Sequence, residues 1–146
     1  MDIDYEDDAH SLYMKIMKVA VVQLEMTITD FKSALNNSVK QPVVIGNSWR
    51  KRNKKDGEID WRMSSRNIYN LVRALAYPYP GAHFIYNQKE YKVWKVREIL
   101  TDKYNNIEPG KIISVSGGNR FIVKTGDNAV EVLECDSILL RENDYL

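Results

Sequence analysis

The 146-residue sequence has one cysteine, Cys135, and two histidines, His10 and His83. A lone thiol excludes an internal disulfide and a cysteine-built metal cluster, and it suits a reducing cytoplasm. With so little imidazole, the carboxylates Asp2, Asp4, Glu6, Asp7 and Asp8 lack the partners of a mixed metal site. They fit a solvated acidic approach to a helix, where the helix dipole favours negative charge. His10 falls where a helix should begin and His83 lies beyond a Pro-Gly turn, with no nucleophile in a motif beside either, so surface or packing roles are expected for both. The longest apolar run, Val19 to Val22, is far too short for a membrane span, and the acidic start is unlike a signal peptide. A phosphate-cradling Gly-Lys-Ser/Thr loop and a dinucleotide fingerprint are both missing; Gly117-Gly118 lies between predicted strands and fits a hairpin turn. The net charge of +1 offers no global field for nucleic acid or membrane.

What is present is ordinary for a globular chain, 44% hydrophobic and 28% charged, enough for the core of one domain or of a two-part remnant of a larger one. Ile3 and Tyr5 alternate with acids and predict a short strand at Met1 to Tyr5. Asp7 or Asp8 then caps a helix. Leu12, Ile16 and Val19 share one face, with Met14, Met17, Val21, Leu24 and Ile28 on the adjoining one. That wide apolar stripe predicts a face packed against something. A second helix starts at Ser64 or Ser65, buries Ile68, Leu71, Val72 and Leu75, and is stopped by Pro78 in the rigid turn Tyr77 to Gly81. The period then changes to two. Strands are predicted at Ala82 to Tyr86, Tyr91 to Arg97, Lys111 to Ser116, Arg120 to Lys124 and Val130 to Leu133. Turn residues separate them at Asn87-Gln88, Pro109-Gly110, Gly117-Gly118-Asn119 and Gly126-Asp127-Asn128. Short strands at this spacing predict a small barrel or curled sheet. Arg141 to Leu146 carries no pattern and is expected to fray.

Between the helices, Asn36 to Asp60 is a long irregular stretch, a length that is usually functional or disordered. It holds the densest charge of the chain: Trp49, Arg50, Lys51 and Arg52, then Lys54 and Lys55. Guanidiniums and an ammonium beside an indole can hold a phosphate by charge-assisted hydrogen bonds and a base by stacking. The same composition also fits a solvated basic loop. Arg73 lies within the apolar side of the second helix, where a bridge to Asp60 that pins the loop is expected ahead of direct ligand contact.

The ordered set Trp49-Arg50-Lys51-Arg52, Asp56-Gly57-Glu58-Ile59-Asp60-Trp61, Val72-Arg73-Ala74-Leu75 and Pro78-Tyr79-Pro80-Gly81-Ala82 resembles the formyltransferase family. That family includes methionyl-tRNA formyltransferase and the N-formyltransferases of nucleotide-linked amino sugars. The likeness extends back through Asp7-Asp8-Ala9 and forward through Tyr91-Lys92-Val93-Trp94 and Pro109-Gly110-Lys111 to about Glu134.

The resemblance implies an α+β chain of two helices with an intervening basic loop, followed by a small OB-like antiparallel β module. Residues 1–81 would be a helical linker region completing the catalytic domain, and residues 82–146 the small module. Family members begin with a Rossmann-like domain that binds N10-formyltetrahydrofolate and supplies an asparagine, a histidine and an aspartate. No residue here matches those three, so the expectation is a portion lacking that domain, without catalysis or a bound cofactor of its own. Residues 48–84 look closer to the enzymes using dTDP- or UDP-linked amino sugars than to the tRNA enzymes, whose C-terminal barrel is more basic. Here Lys111, Arg120 and Lys124 are offset by Asp127, Glu131, Glu134 and Asp136, which does not make a phosphate-tracking surface. By that resemblance Trp49, Arg50 and Arg52 help hold the nucleotide, with Tyr79 near the same cleft, while Asp60, Arg73, Pro80 and Gly81 are structural. The implied partners are a nucleotide-linked amino sugar in the intact enzyme and a separate catalytic half or a second copy. The alternatives are a tRNA formyltransferase portion and a free-standing module binding a nucleotide sugar or RNA.

Overall fold

The computed structural model describes residues 1–117 and 119–146. Asp8 opens the first helix, α1 (Ala9–Thr29). Its carboxylate accepts from the Ser11 amide at 2.8 Å, and the Ser11 hydroxyl accepts from the Asp8 amide at 3.0 Å. This reciprocal cap satisfies two of the amides that a helix N-terminus leaves open. Asp7 departs from the expected solvated cluster. It is covered, and Lys15 at 2.6 Å and the Asp4 amide hold its carboxyl down at about 2. After a break at Asp30 the chain forms a short α2 (Phe31–Asn36), a helix that periodicity does not predict.

The apolar stripe of α1 is present but unpacked. No residue of α1 is buried, and Met14, Met17, Val21, Leu24 and Ile28 are all exposed. The start of α1 faces α3 across a groove where Leu12, Ile16, Ala74 and Tyr79 meet, and its end meets α2. No helix among the described residues is long and apolar enough to cross a membrane. Residues 1–5 do not form the predicted strand either, because their partners are on a helix. Tyr5 stacks on Tyr69, and its carbonyl accepts from the Tyr69 hydroxyl at 2.8 Å and from Arg73 at 3.2 Å.

The Ser64 hydroxyl accepts from the Asn67 amide at 3.2 Å and starts α3 (Ser65–Ala74). Ser65, Ile68, Tyr69 and Val72 recur at helical spacing and are buried, with α3 packed against the sheet. Leu71 and Leu75 are half-buried at its margin.

The five strands are β1 (Ala82–Tyr86), β2 (Lys89–Ile99), β3 (Ile112–Ser116), β4 (Arg120–Lys124) and β5 (Ala129–Cys135). They form one antiparallel sheet in the order β1-β2-β5-β4-β3. Among the described residues no ladder joins β1 to β3, so the sheet is open. Asn87 and Gln88 both have positive φ, the conformation that two-residue hairpin turns need, and they set Phe84 opposite Tyr91. Irregular pairing around Val93 to Val96 bends β2, which pairs with β1 over one part and β5 over the next. Phe84 meets Trp61 and Phe121 edge-on in the core, joined by Ile68, Val72, Val93 and Val132. Gly118, in the third predicted turn, lies outside the described residues; Asn119 beside it has φ 61°.

The C-terminal residues are docked rather than frayed. The Ile112 amide donates to the Asp144 carbonyl at 2.9 Å, the Leu146 amide donates to Gly110 at 3.0 Å, and the Tyr86 hydroxyl donates to the Asp144 carboxylate at 2.9 Å. The backbone of Gly110 and Ile112 at the entry to β3 and the Tyr86 hydroxyl on β1 supply those partners, which the pattern of the tail itself cannot announce.

Candidate functional site

The basic loop ends in a structured corner. The Asn53 side chain accepts from the Lys55 amide at 2.9 Å, and the Asp56 carboxylate accepts from the Asn53 amide at 2.7 Å. These two caps close a 3-10 turn over Lys54–Gly57. Beyond it the Ile59 amide donates to the His83 carbonyl at 2.7 Å, laying residues 58–59 along the β1 edge. Arg50 forks onto the Asp56 carboxylate and holds it well below the usual carboxylate range.

A cleft of about 880 Å³ opens between this turn, α3, the Tyr79-Pro80-Gly81 turn and β2. Its polar lining includes Arg52, Lys54, Asn70, His83, Glu90 and Lys92. Glu90 is the hub. Lys54 reaches its carboxylate at 2.5 Å and Lys92 at 3.0 Å, while His83 Nε2 stands 3.9 Å away. Those two ammoniums hold the Glu90 carboxyl at about 2.

His83 is 3% exposed and its Nδ1 has no hydrogen-bond partner, a state that costs about 1–3 kcal/mol for a buried polar group. Burial keeps its imidazole below the ordinary histidine value, favouring the neutral ring. Of the surface or packing roles expected, His83 takes the packed one, with an unsatisfied nitrogen in addition. Gly57 lies over the ring, where a Cβ would stand 3.6 Å from Nδ1 and 3.1 Å from Leu75.

Of the residues singled out in the sequence, Arg52 and Tyr79 come together on this cleft. Trp49 is 82% exposed and Arg50 is engaged with Asp56, and neither is part of the cleft lining. The expected Asp60–Arg73 bridge does not form. Asp60 turns to its near neighbour Arg62, accepting from Nε at 2.8 Å and Nη2 at 2.6 Å, which lowers its carboxyl to about 2. Arg73 faces the other way, toward the N-terminal segment. It donates to the carbonyls of Tyr5 and Asp7 at 3.2 and 3.0 Å and to Asn70 Oδ1 at 2.9 Å. It pins residues 5–7, not the loop. Gly81, after Pro80, has φ 80° and lies against Trp94, where a Cβ would come within 2.9 Å of the indole.

Lys92 and Glu90 were not anticipated. Their signal lies in the hairpin register, since a two-residue turn at Asn87-Gln88 sets His83 opposite Lys92 and Ile85 opposite Glu90.

Residues 51–137 match the family described as formyl transferase, C-terminal domain. Over 135 residues the chain is 34% identical to methionyl-tRNA formyltransferase of Halothermothrix orenii, covering 90% of this chain and 42% of that protein. It is 32% identical over 146 residues to the bifunctional polymyxin resistance protein ArnA of Wigglesworthia glossinidia brevipalpis, covering 97% of this chain and 21% of that protein. The chain therefore spans less than half the length of either relative. Among solved structures, a variant of HypX from Aquifex aeolicus superposes with a TM-score of 0.66 over 92% of this chain and 24% of that one, at 17% identity. That likeness is one of fold.

Proposed function

Because this chain belongs to the formyl transferase C-terminal domain family, we propose that it is the C-terminal portion of a sugar N-formyltransferase. Such an enzyme moves a formyl group from N10-formyltetrahydrofolate to the amine of a dTDP- or UDP-linked amino sugar, and in this reading the chain does not turn over alone. The observation that carries the reading is the cleft in which Arg52, Lys54 and Lys92 gather beside the Tyr79 turn. Guanidinium and ammonium groups on one wall suit a phosphorylated acceptor. They do not suit the flat, uncharged pterin of the folate donor, so no step through the donor is assigned to these residues. Trp49 and Arg50, on the same loop, complete the nucleotide contacts in the intact enzyme.

The unpacked face of α1 is the surface on which the rest of the enzyme docks. A contiguous apolar stripe of this kind marks a missing partner. The catalytic asparagine, histidine and aspartate come from that remainder. A cytoplasmic setting fits the half-buried, inert Cys135, whose thiol burial pushes up to about 11.

The second reading, a tRNA formyltransferase portion, is favoured by the Halothermothrix relative. Three cations of the β module argue against it. Lys124 is 2% exposed and donates to the carbonyls of Thr125 and Asp127 at 2.7 and 3.0 Å. Arg97 is paired with Glu131, and Lys111 sits over the Tyr145 ring. Cations engaged in this way do not track a phosphate backbone.

The test is binding of dTDP- and UDP-linked amino sugars to the wild-type chain and to Arg52→Ala. The reading expects at least about a tenfold loss in the variant, the size of one lost charge-assisted contact. Equal affinity, or turnover with N10-formyltetrahydrofolate by the purified chain alone, contradicts it.

A further inference from the structure

We propose that the Glu90 cleft is a phosphoryl subsite, in which Lys54, Lys92 and Arg52 take the diphosphate of a nucleotide-linked sugar by displacing the Glu90 carboxylate. The identity of the ligand rests on the reading above; the anion site itself rests on the geometry.

Two cations bond one carboxylate here, and a third, Arg52, lines the same cleft. Lys54 and Lys92 both bond Glu90, at 2.5 and 3.0 Å. An ammonium has three donors, so each lysine keeps N–H groups beyond the one that Glu90 takes. Arg52 forms no ion pair among the described residues, although it lines the same cleft. Asp56, the other acid on that wall, is engaged by Arg50. The site therefore carries a surplus of positive charge that one carboxylate does not balance, and a diphosphate balances it better.

The three cations also come from two separate parts of the chain: Arg52 and Lys54 from the basic loop and Lys92 from β2. An anion held by all three ties the basic loop to the sheet at the cleft, in place of the Lys54–Glu90 ion pair. His83, at the floor, turns its Nε2 toward Glu90 at 3.9 Å. It is surrounded by Glu90 and Glu58 on the acidic side and Lys92 and Lys54 on the basic side, so its titration reports on whatever anion joins them. Gly57 keeps the space above the ring clear of side chain.

The displacement gives a test that a purely structural ion cluster would fail. Inorganic pyrophosphate is titrated by calorimetry at low salt into the 146-residue chain, Lys54→Ala/Lys92→Ala and Glu90→Gln. All three substituted positions are at or near the surface, and folding of each variant is checked by circular dichroism. The wild type is expected to bind, the double variant to bind roughly tenfold or more weakly, and Glu90→Gln to bind more tightly because the competing carboxylate is gone. In the wild type, UDP or dTDP displaces pyrophosphate, and the His83 pKa rises when the site fills. Unchanged affinity in the double variant, or weaker binding by Glu90→Gln, overturns the subsite. UDP that binds without displacing pyrophosphate also overturns it while leaving the nucleotide-sugar reading standing. Displacement by a short RNA and not by UDP or dTDP refutes the nucleotide-sugar ligand, and that reading with it.

Discussion

The ring of Tyr5 lies flat on that of Tyr69, with centroids 4.7 Å apart and planes 7° from parallel. Arg66 lies over the Tyr5 ring at 4.9 Å, and the Tyr5 hydroxyl donates to the Glu98 carboxylate. Burial and that carboxylate push the Tyr5 phenol up to about 12. This stack, together with Arg73, fixes the chain before α1. Tyr5→Ala should cost about 2 kcal/mol, the loss of an aromatic pair and its buried area, and should expose residues 1–8 to protease. Urea unfolding and limited proteolysis check it; an unchanged midpoint and cleavage pattern contradict it.

Gly81→Ala should destabilise by about 1–3 kcal/mol. The backbone there is left-handed, and a Cβ would stand 2.9 Å from the Trp94 indole. The companion Trp94→Leu should recover part of that loss by opening space, but not the part due to φ. Full recovery would show that the backbone conformation contributes nothing.

Stability should fall as the pH drops below 6.5, through His83. Burial holds its folded pKa below that ordinary value, so the unfolded chain takes up the proton first. The contribution is complete above pH 6.5 and is lost on acidification. His83→Gln should flatten the unfolding free energy between pH 7 and 5. A slope equal to the wild type's over that range refutes the assignment. Below it, Asp7 and Glu90, both held at about 2, remain ionised well past ordinary carboxylates. Their share of stability is therefore lost only as the pH falls from the ordinary carboxylate range toward 2.

Charges placed on α1 should leave the isolated chain's stability unchanged. Val21→Glu with Leu24→Glu alters two exposed residues, so the unfolding free energy should stay within about 0.5 kcal/mol, as for surface substitutions generally. The same change should abolish association with the remainder of a formyltransferase. A large loss of stability in the isolated chain would mean that the helix packs within it.

The hairpin β1–β2 and the ends of α3 were legible because turn chemistry and a serine cap state them directly in side chains. The stripe on α1 was legible too, but among the described residues nothing covers it. Three features escaped for a common reason, in that backbone groups or near neighbours decided them. The docking of Tyr145 and Leu146 uses the backbone at the entry to β3. Asp60 chose Arg62, two residues away, over the more distant Arg73. The short α2 follows a cap at Asp30 rather than a repeating face. At the site, Arg52 and Tyr79 could be grouped from motif likeness, whereas Glu90 and Lys92 join them only through strand register.

The most direct test of the account is a pair of NMR titrations of the isotope-labelled chain, one with a UDP- or dTDP-linked amino sugar and one with a tRNA acceptor-stem RNA. The account predicts that the nucleotide sugar shifts Arg52, Tyr79, His83 and Lys92 while β3 and β4 stay still, and that the RNA produces no saturable change. Saturable shifts from the RNA spreading over Lys111 and Arg120, with the cleft unmoved by the nucleotide sugar, would contradict it.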